Sequence, residues 1–245
     1  MIPTIQNIPI LFYHSVANKN TKPNYLQVSY ENFKNQLKIL SILGFKTIDL
    51  KSLNSSDVIL TGKEIIITFD DGYKDNIKNV EPLLREFSFK AIFFLVTGLI
   101  GKTNVWDKNK KNYTRMNLMN KNDISKLINS GHYIGSQGRN HLNLNLIDKS
   151  KLINEISASK RNLEKMFNCK VNFFAYAFGA YNQRVIKEVK KYYDFALTTE
   201  RLKLHKKHIT NYNLTRISVN GNTNIFKFLF KIYLFKFKIL FQRFI

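Results

Sequence analysis

At 245 residues and 44% hydrophobic content the chain can build one substantial core, and its single cysteine, Cys169, excludes an intrachain disulfide. The formal charge of +22, from 39 basic and 17 acidic residues, would suit a polyanion, but the lysines spread over every segment and no nucleic-acid motif gathers them, so no specific nucleic-acid partner is expected. The opening MIPTIQNIPILFYHSV lacks the basic n-region and small-residue cleavage site of a secretory signal, which makes a cytoplasmic location the expectation.

In chain order, short apolar runs alternate with helical patterns. Ile8 to Val16 predicts a first strand that ends at Tyr13 and His14. Ser29 predicts the N-cap of a helix carrying Phe33, Leu37 and Leu40 at helical spacing; Gly44 closes it, and Phe45 to Ile48 starts another strand. Glu64 to Thr68 is a strand, and NIKNVEPLLREF is a helix that tolerates Pro82 only with distortion. KAIFFLVTG predicts a buried strand, followed by a long loop from Gly101 to about Asn122. A short helix over Asp123 to Asn129 stops at Gly131, HYIGS is a strand, and Asp148 to Phe167 is a long helix. VNFFAYAFG, FALTT and TRISV complete the strands, with a helix over Asn182 to Tyr192. The rhythm predicts parallel β-α units in one domain, closed as a barrel or open as a doubly wound sheet.

In such architectures ligands meet the carboxyl ends of the strands. EIIITFDDGY delivers Asp70 and Asp71 side by side to such an end. On a turn the two carboxylates diverge, so one can bind a cation and the other move a proton; a helix cap is the plainer role for one of them. Gly72 permits the turn. In YIGSQGRNHLNL, Gln137 and His141 stand four residues apart, a spacing that puts two side chains on one face of a helical turn. Tyr13, His14 and FAYAFGAYN also lie at strand ends. Trp106, in the long loop, can contact a ligand or anchor the loop by packing a large side chain. His132 precedes its strand and reads as structural.

These motifs, in this order and spacing, resemble the polysaccharide deacetylases with the NodB-homology fold, carbohydrate esterase family 4. ITFDDGY is similar to the first family motif, IGSQGRNHLNL to the second and FAYAFGAYN to the third, while FALTT and LTRISV are similar to flanking strands. The resemblance implies an α/β fold, a distorted (β/α) barrel over residues 1–224, and metal-dependent removal of acetyl from N-acetylated sugars. It implies a divalent cation, with zinc expected and nickel, cobalt or manganese as alternatives. By position, Asp71 and His141 are metal ligands, Asp70 is the general base, and the backbone N–H of Phe178 completes an oxyanion hole. Tyr13, His14, Trp106 and Tyr176 are the expected substrate contacts.

The chain also departs from the family pattern. Gln137 stands where the first ligand histidine belongs, and a neutral amide is a weaker ligand for zinc-like metals than imidazole. His14 is the candidate to replace it, or else touches substrate or makes a structural hydrogen bond. Ala175 stands where many members have an arginine that orients the base, and Ala177 where proline is usual. The late Leu-His pair that supplies the acid has no match; His205 and His208 fall in the basic stretch RLKLHKKH, read as a solvated loop.

The expectation is a deacetylase acting on an N-acetylated glycan or a lipid-linked precursor, with a glycan-binding pseudoenzyme as the alternative. Residues 225–245, IFKFLFKIYLFKFKILFQRFI, interleave aromatics with lysines. They are too charged to span a bilayer, and attachment to an anionic membrane surface on its inner face is expected of them.

Overall fold

The structure, a computed structural model, describes residues 5–24, 26–50, 60–109, 111, 113–199 and 209–241; His205 and His208 lie outside them. Ten strands form among the described residues: β1 (Ile10–Tyr13), β2 (Ser15–Val16), β3 (Gln27–Val28), β4 (Lys46–Thr47), β5 (Glu64–Phe69), β6 (Ile92–Leu95), β7 (Tyr133–Ser136), β8 (Phe173–Ala175), β9 (Phe195–Leu197) and β10 (Ile217–Ser218). Seven α-helices accompany them among the same residues: α1 (Tyr30–Ile42), α2 (Glu81–Glu86), α3 (Lys121–Asn129), α4 (Lys149–Ile153), α5 (Ser159–Phe167), α6 (Gln183–Val189) and α7 (Ile225–Phe241).

The main sheet runs β10-β1-β5-β6-β7-β8-β9 with every ladder parallel, as the β-α rhythm predicts. β4 pairs with the start of β5, Lys46 opposite Glu64, and β6 with its end, Thr68 opposite Ile92. The sheet curls into a half-barrel. Between β9 and β10 the described residues hold only a single parallel bridge, Leu197 to Leu214.

The pleat divides the core in two. Ile10, Ile66, Ile92, Phe94, Phe173 and Ala175 face the lumen. Leu11, Tyr13, Ile65, Ile67, Phe69 and Phe93, one residue out of step, face the helices. Burial of both faces explains why the strands read as continuous apolar runs.

Local chemistry explains the helix limits. Ser29 caps α1 by accepting from the Asn32 N–H, and Asn120 with Asp123 forms a reciprocal capping box on α3. Two expected helices are interrupted. The segment around Pro82 opens with a π-turn over Asn76–Val80, so that proline falls in the first turn of α2, where its missing N–H costs little. The long helix after Asp148 divides into α4 and α5 around a second π-turn, Asn154–Ala158.

Candidate active site

β5 ends by turning sharply. Ile66 and Thr68 face the lumen, and the same parity sends Asp70 there. Asp71 and Gly72 then both take positive φ, 71° and 69°. The positive φ favours glycine at 72, and a Cβ there would also press on Leu95 Cδ2 at 2.9 Å. The double turn points the two neighbouring carboxylates to different partners.

Asp70 is 1% exposed and faces Arg216, itself 2% exposed. The guanidinium donates from Nη1 to Oδ1 at 2.7 Å and from Nη2 to Oδ2 at 2.8 Å, a two-pronged pair. Its Nε donates to the Thr198 carbonyl at 2.9 Å, and its plane lies 4.0 Å from the Phe12 ring centroid. Arg216 comes from TRISV, immediately before β10. Sequence reasoning located the absence of an orienting arginine at Ala175 but missed its substitute. The available signal was an arginine beside an otherwise apolar barrel strand, where a charge is buried only with a partner.

Asp71 meets the end of β7. Its backbone N–H donates to Gln137 Oε1 at 2.8 Å, and Gln137 Nε2 donates to Asp71 Oδ1 at 2.9 Å. The backbone donor dictates which end of the amide is oxygen, so the NH₂ necessarily points at the carboxylate. The same nitrogen lies 3.1 Å from His141 Nε2, which is 3.2 Å from Asp71 Oδ1. Burial alone would raise the Asp71 carboxyl. The hydrogen bond and charge of His141, then the charge of His14 and a hydrogen bond from Tyr73, outweigh it and hold the group at about 2.

The turn from Gln137 to His141 is anchored from below by Glu155. This carboxylate, 1% exposed on the π-turn between α4 and α5, accepts from the Arg139 and Asn140 N–H groups at 2.9 Å each and from the Asn140 side-chain amide. His141 completes the turn at φ 56°. Phe178, after β8, is also left-handed at φ 59°, and Gly179 beside it has no room for a Cβ, which would lie 2.0 Å from Thr199 Oγ1. Six non-glycine residues among those described have positive φ, and three of them, Asp71, His141 and Phe178, border this one site. Backbone strain of this kind persists where surrounding structure enforces it, and it concentrates at functional sites.

Two aromatics enclose His141. The Trp106 indole stacks on its face at 4.4 Å, and the Phe178 ring meets it edge-on at 4.6 Å. The long loop brings Trp106 there because it is stitched to the β5 turn, through Met119 N–H to the Gly72 carbonyl and Lys74 N–H to the Asn117 carbonyl. His14 follows β1 with the parity of Phe12, whose ring is 4.6 Å away, and its charge reaches Asp71.

Tyr13 and Tyr176, expected to touch substrate, have no exposed surface. Both have the outward parity. Tyr13 stacks on Phe69 and donates to Gln36 Oε1; Tyr176 stacks on Tyr181 and donates to the Tyr212 carbonyl. A one-residue offset in a strand sends a side chain to the opposite face, and here it sends both rings into the layer under the helices. Ala177 begins the turn that carries Phe178. His132, read as structural, is 5% exposed and accepts from the Ala91 N–H through Nδ1.

As arranged, Asp71, His141 and Gln137 do not fit a divalent cation. Two are strong donors, but the third turns its hydrogens toward them because its oxygen is taken by a backbone N–H. His141 Nδ1 is buried with no hydrogen-bond partner among the described residues, whereas a ligating imidazole is ordinarily held from its second nitrogen. His14 does not complete the set: no group of three His, Cys, Asp or Glu side chains able to hold a metal occurs among the described residues.

The family model for polysaccharide deacetylases matches residues 57–193. The chain is 30% identical over 197 residues to YxkH, a candidate polysaccharide deacetylase of Bacillus subtilis strain 168, covering 79% of this chain but only 64% of that protein. It is 24% identical over 209 residues to the poly-beta-1,6-N-acetyl-D-glucosamine N-deacetylase of Staphylococcus aureus strain MSSA476, covering 74% of this chain and 68% of that one. Among solved structures, a polysaccharide deacetylase from Bacillus cereus superposes with a TM-score of 0.74 at 25% identity, over 92% of this chain and 68% of that one.

Proposed function

Because the chain belongs to the polysaccharide deacetylase family, we propose that it hydrolyses the acetamide of an N-acetylated glycan, at a rate held low by Gln137. The observation that carries this reading is the Asp70–Arg216 pair. A fully buried guanidinium is a poor stabilising device, because desolvation offsets most of its attraction. It does suit a site that needs one carboxylate ionised and fixed in direction. The relatives named as N-deacetylases of poly-N-acetylglucosamine support N-acetylglucosamine units as the substrate class.

Amide hydrolysis requires a base for the attacking water and a donor for the oxyanion of the tetrahedral intermediate. Asp70 accepts the water proton and, once protonated, returns it to the departing amine. The backbone N–H of Phe178, on the left-handed turn at φ 59°, is the group assigned to the oxyanion. Trp106 and Phe178 supply apolar surface for the sugar and the acetyl methyl. A family cation would further polarise the carbonyl and acidify the water, and Gln137 closes the position that would hold it, so turnover is slow.

One observation favours a second reading. The mutual satisfaction of Asp71, Gln137 and His141 also suits a barrel that binds glycan without turnover. Acetate release from N-acetylglucosamine oligomers, with metal analysis of the same preparations, separates the two. The hydrolase reading expects slow release by the wild type and none by Asp70→Asn. It also expects release at least about tenfold faster from Gln137→His, with a divalent cation then bound. Oligomer binding without acetate from the wild type, and acetate from Gln137→His, would establish the binding role instead.

A further inference from the structure

The C-terminal helix α7 has two apolar faces. Phe228, Ile232, Phe235 and Ile239 pack into the outer core. On the opposite side Phe226, Phe230, Tyr233, Phe237, Leu240 and Phe241 are 79, 66, 47, 60, 52 and 47% exposed. Their spacing of three and four residues makes one continuous stripe, about 22 Å long at about 1.5 Å per residue. At 100° per residue, Lys227, Lys231 and Lys238 line one edge of the stripe, and Lys236 lines the other. The interleaved lysines thus straddle the exposed apolar face and sit beside the packed one. Lys231 and Lys236 extend sideways, donating to the Ser218 and Gly62 carbonyls, and leave the stripe uncovered. Beside the helix, a cleft of about 320 Å³ opens between Phe230, Leu234 and β10, with Lys227, Lys231 and Lys238 on its walls.

We propose that α7 lies flat on a lipid bilayer with anionic headgroups, its aromatic stripe in the acyl boundary and its lysines at the phosphates. Charge complementarity selects this occupant. No acidic residue follows Glu200 in the sequence, so a second copy of the same face would set lysine against lysine on a chain already carrying +22. No helix among the described residues is long and apolar enough to cross a membrane, which leaves surface attachment as the way for α7 to bury the stripe. The proposal is independent of catalysis.

Because Phe235 and Ile239 belong to the core, the test uses point variants of the full chain and not truncation. Co-sedimentation is measured with vesicles of phosphatidylcholine alone and of phosphatidylcholine with phosphatidylglycerol, at low and high salt. The wild type is expected to pellet with the anionic vesicles and to be released by salt. Lys227→Gln combined with Lys238→Gln should weaken that binding about thirtyfold, taking about 1 kcal/mol for each basic residue near the surface. Phe230→Ser combined with Phe237→Ser should abolish it while leaving the melting temperature unchanged. Three outcomes overturn the proposal: all proteins remaining soluble, the aromatic variant binding as well as the wild type, or light scattering showing a lipid-free dimer that the aromatic variant loses.

Discussion

Asp70 and Arg216 illustrate how one residue can depend on a partner 146 positions away. The carboxylate receives both prongs of the guanidinium, and that geometry belongs to arginine alone. Arg216→Lys keeps the charge but loses the fork. It is expected to lower the turnover number at least about tenfold with little change in KM, since the carboxylate loses its direction while the groove stays intact. Arg216→Ala should instead destabilise the fold by about 3–5 kcal/mol, because Asp70 becomes a buried charge without a partner. Acetate release and denaturant unfolding on the two variants distinguish orientation from mere support: a lysine variant with wild-type turnover would remove Arg216 from the chemistry. ITFDDGY marks Asp70 as the candidate base, whereas nothing local to TRISV says which carboxylate Arg216 will meet.

Among the elements, the interrupted helix after Asp148 contributes most to the site. A regular helix would continue α4 into α5 without a break. The π-turn at Asn154–Ala158 adds a residue to the ladder and presents Glu155 to the turn that carries Gln137 and His141. Glu155→Gln keeps an oxygen for the two backbone N–H groups but removes the negative charge and turns an NH₂ toward the Asn140 side-chain amide, and should cost about 1–3 kcal/mol. Trp106, the single tryptophan, stacks directly on His141, so displacement of the turn should also change its fluorescence. A variant that loses stability with unchanged emission would show that Glu155 supports the helix and not the site. Helix periodicity predicted the extent of this element but could not reveal the extra residue, because a π-turn keeps the same apolar side inward.

At the scale of the whole molecule, buried titrating groups set how stability follows pH. His132 is pushed down to about 4, first by burial and then by the charge of Lys90. Its unfolded value is near 6.5, so between these limits the unfolded chain binds the extra proton and stability falls as pH falls. Asp75 works in the opposite sense: burial raises it to about 6, so the folded state binds the proton above the unfolded 3.8, and stability rises as pH falls through that window. Asp71, held at about 2, contributes stability that is present above 3.8 and lost only in stronger acid. His132→Gln removes the first effect alone. Between pH 7.5 and 5 the wild type should lose about 2 kcal/mol that the variant retains, read as a narrowing difference in unfolding midpoints. A difference independent of pH would mean that His132 titrates normally.

The strands of the main sheet, their order of appearance, the parallel β-α rhythm and the placing of Asp70, Asp71 and His141 beyond strand ends were determined by the sequence itself, whereas the short β2–β3 pair was not. Apolar runs, caps and turn residues are local signals, and the motif spacing is carried by the chain. What only the tertiary structure decided depends on face and distance. Pleat parity sends Tyr13 and Tyr176 under the helices while Asp70 enters the lumen. The curl of the sheet brings Arg216 to Asp70. A backbone N–H dictates which end of the Gln137 amide faces Asp71. Docking of α7 through Phe228 and Ile232 selects which of its apolar faces remains outside. Each outcome pairs residues far apart in the chain, and composition and periodicity are blind to that pairing.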